Sequence, residues 1–449
     1  MYWIVRRGLP RSFLLPILVA TGCQVGIRTD ITSIPSPIPS SALATRSPTD
    51  LATSTVPITP TPSKTATPPP GEVEYHCIDV SDDPTTLSGI SGKIVSIGEI
   101  IPIVDGKSIH SPSLLVDLQT GEHIPLAFEE TPSMFAVSSN SGYLAFDTKY
   151  GNDYTYMRIN IIDSTNTPLG EFVEERASFD WLNDEILLLT GQIGGNNPLV
   201  ALSPFESKRR VIEPFVTEEE RVAPSDIEVL RDWGFYALHK IIYNPTLTRA
   251  IYASSDGVVF RDLTTNEDIS SWGDIGLWGR SPKWSDDGTK LAIGWDTTAS
   301  SYAASLTEKD EILILDENGN LLSSTHLSEL SGPVFISSSS WSPDGSHVAF
   351  WYANNRLMDT DPQMANYDLR LAVYDTTTQN LVDYCIEKDY DNYYLHRSDA
   401  SPIWSPDGNS LVISKTNSPD SNPSVIIVDL ENERAAVVMT GYEPVGWMK

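Results

Sequence analysis

An all-β fold built as a ring of small repeated sheets is predicted from three observations. First, a ten-residue pattern recurs: Trp284-Ser285-Asp286-Asp287-Gly288-Thr289-Lys290-Leu291-Ala292-Ile293, then Trp341-Ser342-Pro343-Asp344-Gly345-Ser346-His347-Val348-Ala349-Phe350, then Trp404-Ser405-Pro406-Asp407-Gly408-Asn409-Ser410-Leu411-Val412-Ile413. Second, each copy is followed by an apolar run ending in Asp, a polar turn and a further strand. Residues 312–316 with Asn318-Gly319 and residues 425–429 with Glu431-Asn432 are examples. Third, turn residues are abundant and helical periodicity is scarce. Four short strands in a unit of about 40 residues define the blade of a β-propeller.

The pattern is turn chemistry. Proline presets φ, Asp accepts bonds from nearby backbone, and Gly takes the left-handed conformation. Each copy is thus a hairpin, and its Trp can wedge between neighbouring units. Trp284, Asp287 and Gly288, with Trp341, Pro343, Asp344 and Gly345, and Trp404, Pro406, Asp407 and Gly408, are the structural residues of the repeat. The Trp-Ser-Pro-Asp-Gly string followed by an apolar strand resembles the WD40-like repeats of the TolB-type propellers and of the propeller domains of prolyl oligopeptidase relatives. The resemblance implies a propeller that docks proteins. It does not import their partners, since a fold does not determine function.

From the N-terminus, residues 1–22 read as a signal peptide. Arg6, Arg7 and Arg11 are its basic region, and residues 12–20 form an apolar stretch too short to span a bilayer. It ends in Ala20-Thr21-Gly22-Cys23, which resembles a bacterial lipobox, and that resemblance implies cleavage before Cys23 and its lipidation. Residues 23–72 are rich in Pro, Ser and Thr, a composition that cannot bury a core. They read as a disordered stalk.

Residues 73–449 supply the blades. The first has residues 92–97 and 114–117 but no inner strand containing Trp. The second is placed at the worn motif from Ser138 to Phe146, the third at Trp181, the fourth at Tyr243-Asn244-Pro245, and the fifth to seventh at Trp284, Trp341 and Trp404. Residues 443–447 read as a lone strand that supplies blade one, closing the ring by pairing both ends of the domain. This makes seven blades, with six as the alternative. Spacings of about 41 to 63 residues leave room for insertions at residues 216–233, 297–309, 354–367 and 387–399. Residues 225–230 in the first of these read as a short capped helix.

Formal net charge is −30 over 449 residues. That argues against nucleic acid and against an anionic membrane surface as direct partners. No nucleophile elbow is present: residues 89–93, Gly-Ile-Ser-Gly-Lys, lack the final Gly, and residues 285–288 are one residue short of a sialidase box. The seven histidines show no metal-ligand spacing. Asp359/Asp361 and Asp389/Asp391 can accept calcium with carbonyl help, but neither pair has the Gly and distal Glu of a full loop, and no cofactor is expected. Tyr384, Tyr390, Tyr393 and Tyr394 concentrate beside His396 and Arg397, either as a sugar or peptide surface or as a loop packed on its own blade. With Cys23 assigned to lipid, Cys77 and Cys385 remain, as a disulfide or as two buried thiols.

The expectation is an exported, lipid-anchored monomer facing the extracytoplasmic side, whose propeller binds a protein or peptide without catalysis. The alternative is a glycan-binding module or a glycan-active enzyme using carboxylates around the funnel.

Overall fold

The computed structural model describes residues 73–98, 100–102, 108–110, 112–126, 132, 134–150, 156–175, 177–190, 199–206, 208–212, 241–254, 257–272, 279–296, 309–330, 334–353, 367–390, 401–415 and 422–449. Seven antiparallel sheets form a β-propeller. Blade two runs Phe135–Val137, Tyr143–Lys149, Tyr156–Asp163 and Pro168–Glu175 from the axis outward. Blade three is Ser178–Asn183, Ile186–Thr190, Leu199–Ser203 and Lys208–Ile212. Blade four is Ile242–Tyr243, Arg249–Ser254, Gly257–Asp262 and Glu267–Trp272. Blade five is Gly279–Trp284, Lys290–Asp296, Asp310–Asp316 and Leu321–Ser324. Blade six is Phe335–Trp341, His347–Ala353, Tyr367–Asp375 and Leu381–Tyr390. Blade seven is Ile403–Trp404, Ser410–Lys415, Ser424–Asp429 and Arg434–Thr440.

Blade one is composite. Its inner strand is the C-terminal Tyr442–Met448, antiparallel to Lys93–Gly98, with Leu114–Asp117 and His123–Pro125 outside. Lys93 pairs with Met448, so the ring closes as the tail reading expects. A small hairpin, Ile100–Pro102 with Ser108–His110, is inserted within this blade, which the sequence reading did not foresee.

The apolar core is seven layers, one between each pair of blades. Blades five and six bury Ala292, Ile314, Val348 and Phe350; blades six and seven bury Trp351, Leu371, Trp404 and Ile426. Blades seven and one share Val412, Ile427, Ile94 and Trp447; blades one and two share Val95, Leu115, Leu144 and Met448. Corresponding clusters fill the remaining three interfaces. The inner-strand tryptophans are the wedges. Trp181, Trp284, Trp341 and Trp404 each donate their indole N–H to a carbonyl of the preceding blade's inner strand, namely Ala136, Ile242, Lys283 and Ser340. A large apolar ring is thereby buried without orphaning its one donor.

The motif turn works through three residues. Ser405 Oγ donates to Asp407 Oδ1 at 2.6 Å and accepts the N–H of Ser410 at 2.9 Å, while the Gly408 N–H reaches Ser405 O at 2.9 Å. Blades five and six repeat these bonds. Hydrogen bonds from Ser342 and Ser346 outweigh desolvation and hold the Asp344 carboxyl down at about 2. The glycine position is left-handed in every good copy, with φ of 71°, 65° and 76° at Gly288, Gly345 and Gly408.

Two worn copies, in blades two and four, keep that conformation without glycine. In blade two the structure moves the pattern by one residue from the sequence reading. Val137 holds the Trp position, Ser138 Oγ donates to Asn140 Oδ1, and Ser141 takes φ 58°. Blade four places Leu247 at φ 55°. A side chain in this region costs roughly 1–2 kcal/mol that glycine avoids. Ser141→Gly should therefore raise stability by about 1 kcal/mol in urea melts, and a loss of stability would refute the strain.

The segment entering the ring makes a strap outside it. Val73–Tyr75 adds a fifth, parallel strand to blade six, and Val80–Ser81 does the same for blade seven. Cys77, between them, is joined to Cys385 of blade six with Cα atoms 4.7 Å apart. His76 sits between Glu74 and Glu433, whose hydrogen bonds raise its pKa. The Arg434 guanidinium donates to Thr86 O. Cys77 precedes blade one in sequence, yet the residues around it form strands on the rims of blades six and seven, because those outer edges offer unpaired backbone.

Candidate channel-mouth site

The residue just after the motif Ser in blades two, five, six and seven lines a common cavity. This cavity, of about 270 Å³, is lined by Ser139 and Asn140 of blade two, Asn183 and Asp184 of blade three, Asp286 of blade five, Pro343, Pro406 and the terminal Lys449. These residues end or follow the inner strands of six of the seven blades, all but blade four, so the cavity is one mouth of the central channel. Rigid hairpins hold it in shape. Asp184 Oδ1 accepts the Asn140 N–H at 2.7 Å, Asn183 Nδ2 donates to Pro245 O at 3.0 Å, and the Lys449 N–H donates to Ser141 O at 2.8 Å. Each bond ties one blade to another at the rim of the opening.

Asp286 is the chemically distinctive group. Blades six and seven carry proline at this position, where blade five carries a carboxylate. Asp286 is exposed by surface area, yet it stands within the ring of turns and is partly desolvated. That desolvation, with the charges of Asp184 and Asp287, pushes its pKa up to about 6. Because its ordinary value is 3.8, the folded state binds this proton more tightly than the unfolded chain. The resulting stabilisation is full below about 3.8 and is lost as pH rises through about 6. Asp286→Asn should match the native protein in thermal melts at pH 4 and melt higher at pH 8. An equal difference at both pH values would contradict this electrostatic account.

The remaining sequence-derived candidates distribute as follows. Asp287, Asp344 and Asp407 bind turn backbone and hydroxyls. His347 accepts or donates at Nδ1 to Ser346 Oγ at 2.6 Å and stacks tilted against Trp404. Tyr384 is a core residue between blades six and seven rather than part of an exposed aromatic surface, and burial pushes its pKa up to about 12. Tyr390 lies on the outer strand of blade six. Cys23, Asp359, Asp361, Asp391, Tyr393, Tyr394, His396, Arg397 and the helix expected at residues 225–230 lie outside the described residues. Among the described residues no group of three His, Cys, Asp or Glu is placed to hold a metal ion. Asp184 and Asp286 were not singled out from sequence as site residues. The available signal was the departure of Asp286 from the proline of its sister copies.

No family model and no curated protein matches the chain. The similarity to solved structures is at low identity. The chain is similar to TolB from Acinetobacter baumannii, with 14% identity, coverage of 81% of this chain and 69% of that one, and a TM-score of 0.40. It is also similar to the β-propeller domain of Cps50 (Swd1) from Myceliophteria thermophila, with 13% identity, coverage of 77% and 94%, and a TM-score of 0.40. A chain of the Mitotic Checkpoint Complex shows 12% identity, coverage of 80% and 95%, and a TM-score of 0.41. The seven sheets themselves, and not these likenesses, define the class of protein: a seven-bladed β-propeller with a closing C-terminal strand.

Proposed function

We propose that this protein is a non-catalytic scaffold, tethered by a lipid on Cys23 to the extracytoplasmic side of a membrane, whose propeller binds a protein or peptide. The observation that carries the binding reading is the channel mouth, a rigid polar opening with Asp184 and Asp286 at its rim. A cationic side chain or terminal amine of a partner suits that rim, because it would relieve the repulsion between the two carboxylates. Binding then strengthens as pH rises through about 6, when Asp286 ionises. The tether reading rests on the basic region, the short apolar stretch, Cys23 and the Pro/Ser/Thr-rich stalk. The protein acts as a monomer and needs no cofactor.

The test is a photo-reactive residue placed at Ser139 in the full-length protein in its own membranes. One cross-linked envelope protein is expected, absent when the same residue is placed at Leu321 on the rim of blade five and reduced by Asp286→Asn. Labelling that ignores position would sink the mouth as the binding surface. Polysaccharide turnover that is lost in Asp286→Asn would replace the scaffold reading with glycan hydrolysis by the two carboxylates. Cys23→Ser should release the protein from the membrane fraction if the anchor is lipid.

A further inference from the structure

The outer edges of the blades differ in a way that points to a second binding surface. Each outer strand offers one row of backbone N–H and C=O groups that its own sheet does not use. The molecule fills two of these rows itself: the strap pairs in parallel with Leu381–Tyr390 of blade six and with Arg434–Thr440 of blade seven. These rims therefore accept an added strand, and two or three residues suffice to make one.

Among the described residues, the outer strand of blade three, Lys208–Ile212, pairs on one side only, with Leu199–Ser203. It carries Lys208, Arg209 and Arg210 in succession, in a chain of net charge −30. The neighbouring outer edges are of opposite sign or short of charge. Blade two presents Glu171, Glu174 and Glu175, blade four presents Glu267 and Asp268, and blade five presents Leu321–Ser324. Arg209 is held in a fork by Glu174, at 2.8 and 3.1 Å. Lys208 pairs with Glu206 at 2.8 Å, but both side chains are exposed, and such a pair is readily exchanged. Arg210 has no ion pair among the described residues. On the other face of the strand Val211 stands about half exposed, at 49%.

We propose that the rim of blade three docks an extended, acidic segment of a partner protein by strand addition. Backbone bonds to Lys208–Ile212 supply the affinity, Lys208 and Arg210 on one face of the strand select carboxylates, and Val211 on the other face receives an apolar side chain. Lysine and arginine on an edge strand also protect it from pairing with a second copy of itself. That protection leaves the edge complementary to an acidic strand, and the exposed Val211 on its other face is what a merely protected edge lacks. The acidic body repels such a partner at long range, so selection is local, within a Debye length of about 8 Å. The proposal rests on the scaffold reading but not on the channel mouth.

The test uses the full chain and a fluorescent peptide of alternating Glu and Val. The native protein should bind it, and Lys208→Glu with Arg210→Glu should weaken binding by about tenfold or more. The same double variant should gain binding to a peptide of alternating Lys and Val. A peptide of alternating Glu and Pro, which cannot pair, should not bind. Asp286→Asn should leave the binding unchanged, which separates this surface from the mouth. Equal binding by the native protein and the double variant, or by the Val and Pro peptides, would overturn strand addition here. Binding seen only after Glu218, Glu219 and Glu220 are replaced by Ser would show that the chain's own acidic run occupies the edge, and would also overturn the proposal.

Discussion

Trp447→Ala is expected to cost roughly 3–5 kcal/mol, the range for truncating a buried Trp, and to be among the most damaging single substitutions in the ring. Trp447 is 1% exposed and packs in the layer between blades seven and one. Its indole N–H donates to Ser91 O at 3.2 Å. The strand that carries it is the inner strand of blade one, and its pairing with Lys93–Gly98 joins residues at opposite ends of the domain. Losing this side chain therefore weakens the interface between blades seven and one and the closure together, whereas Trp284→Ala empties one interface within a continuous run of chain. The neighbouring Gly446 gives a sharper test. A Cβ there would lie 2.1 Å from Val137 Cγ2 of blade two, so Gly446→Ala forces the two blades apart. Overpacking of this kind costs about 1–3 kcal/mol. Val137→Ala removes the offending methyl, and the two substitutions together should be milder than their sum in urea melts. Strict additivity would mean that the blades are not in contact at this point.

Much of this closure is legible in the sequence, because a lone apolar strand ending in an aromatic at one end matches a blade lacking its inner strand at the other. The seven-blade count follows from the same logic, since the strand-ending Asp recurs, at Asp117, Asp163 and Asp262, even where the tryptophan is gone. The off-by-one reading of blade two has a physical cause. Ser138 does the work of the motif Ser while Val137 stands for the Trp, so the aromatic landmark that sets register elsewhere is missing. The strap was not legible. Residues 73–81 are too short and too mixed to announce strands, and they form them only because the outer edges of blades six and seven are already in place to pair with them. The channel mouth was half legible. Its position follows from the turns, yet the turns read as scaffolding, and a residue that breaks a structural pattern to serve a cavity looks like wear until the ring is closed. Asp286 illustrates this, and the same holds for the cationic rim of blade three, whose contrast with its neighbours exists only once the outer strands are assigned.

Asp383→Ala should also be severely destabilising, for an electrostatic reason. Asp383 is wholly buried on the outer strand of blade six, beneath the strap. Its Oδ2 accepts the Tyr352 hydroxyl and lies 3.2 Å from Arg370 Nε, an ion pair rather than a well-aligned hydrogen bond. Its Oδ1 accepts the Cys385 N–H at 2.6 Å, at a left-handed residue with φ 57°. Its backbone carbonyl accepts the His76 N–H, and the Arg370 guanidinium lies 5.4 Å over the Tyr75 ring of the strap. One carboxylate thus organises the bulge that carries Cys385 and the platform on which the strap lies. Burial, then the Asp383 charge, raises the Tyr352 pKa, which keeps the hydroxyl a donor. Removing the carboxylate leaves a largely covered guanidinium and a buried hydroxyl without their acceptor, at a cost of roughly 3 kcal/mol. Replacing the pair together, Asp383→Leu with Arg370→Met, should cost clearly less than Asp383→Ala alone, since no charge is then stranded. Hydrogen exchange at His76 and Ile78 should accelerate in Asp383→Ala even with the Cys77–Cys385 bond intact. If the single substitution melts like the native protein, the strap is held by the disulfide and its backbone bonds, and the buried charge is incidental to it.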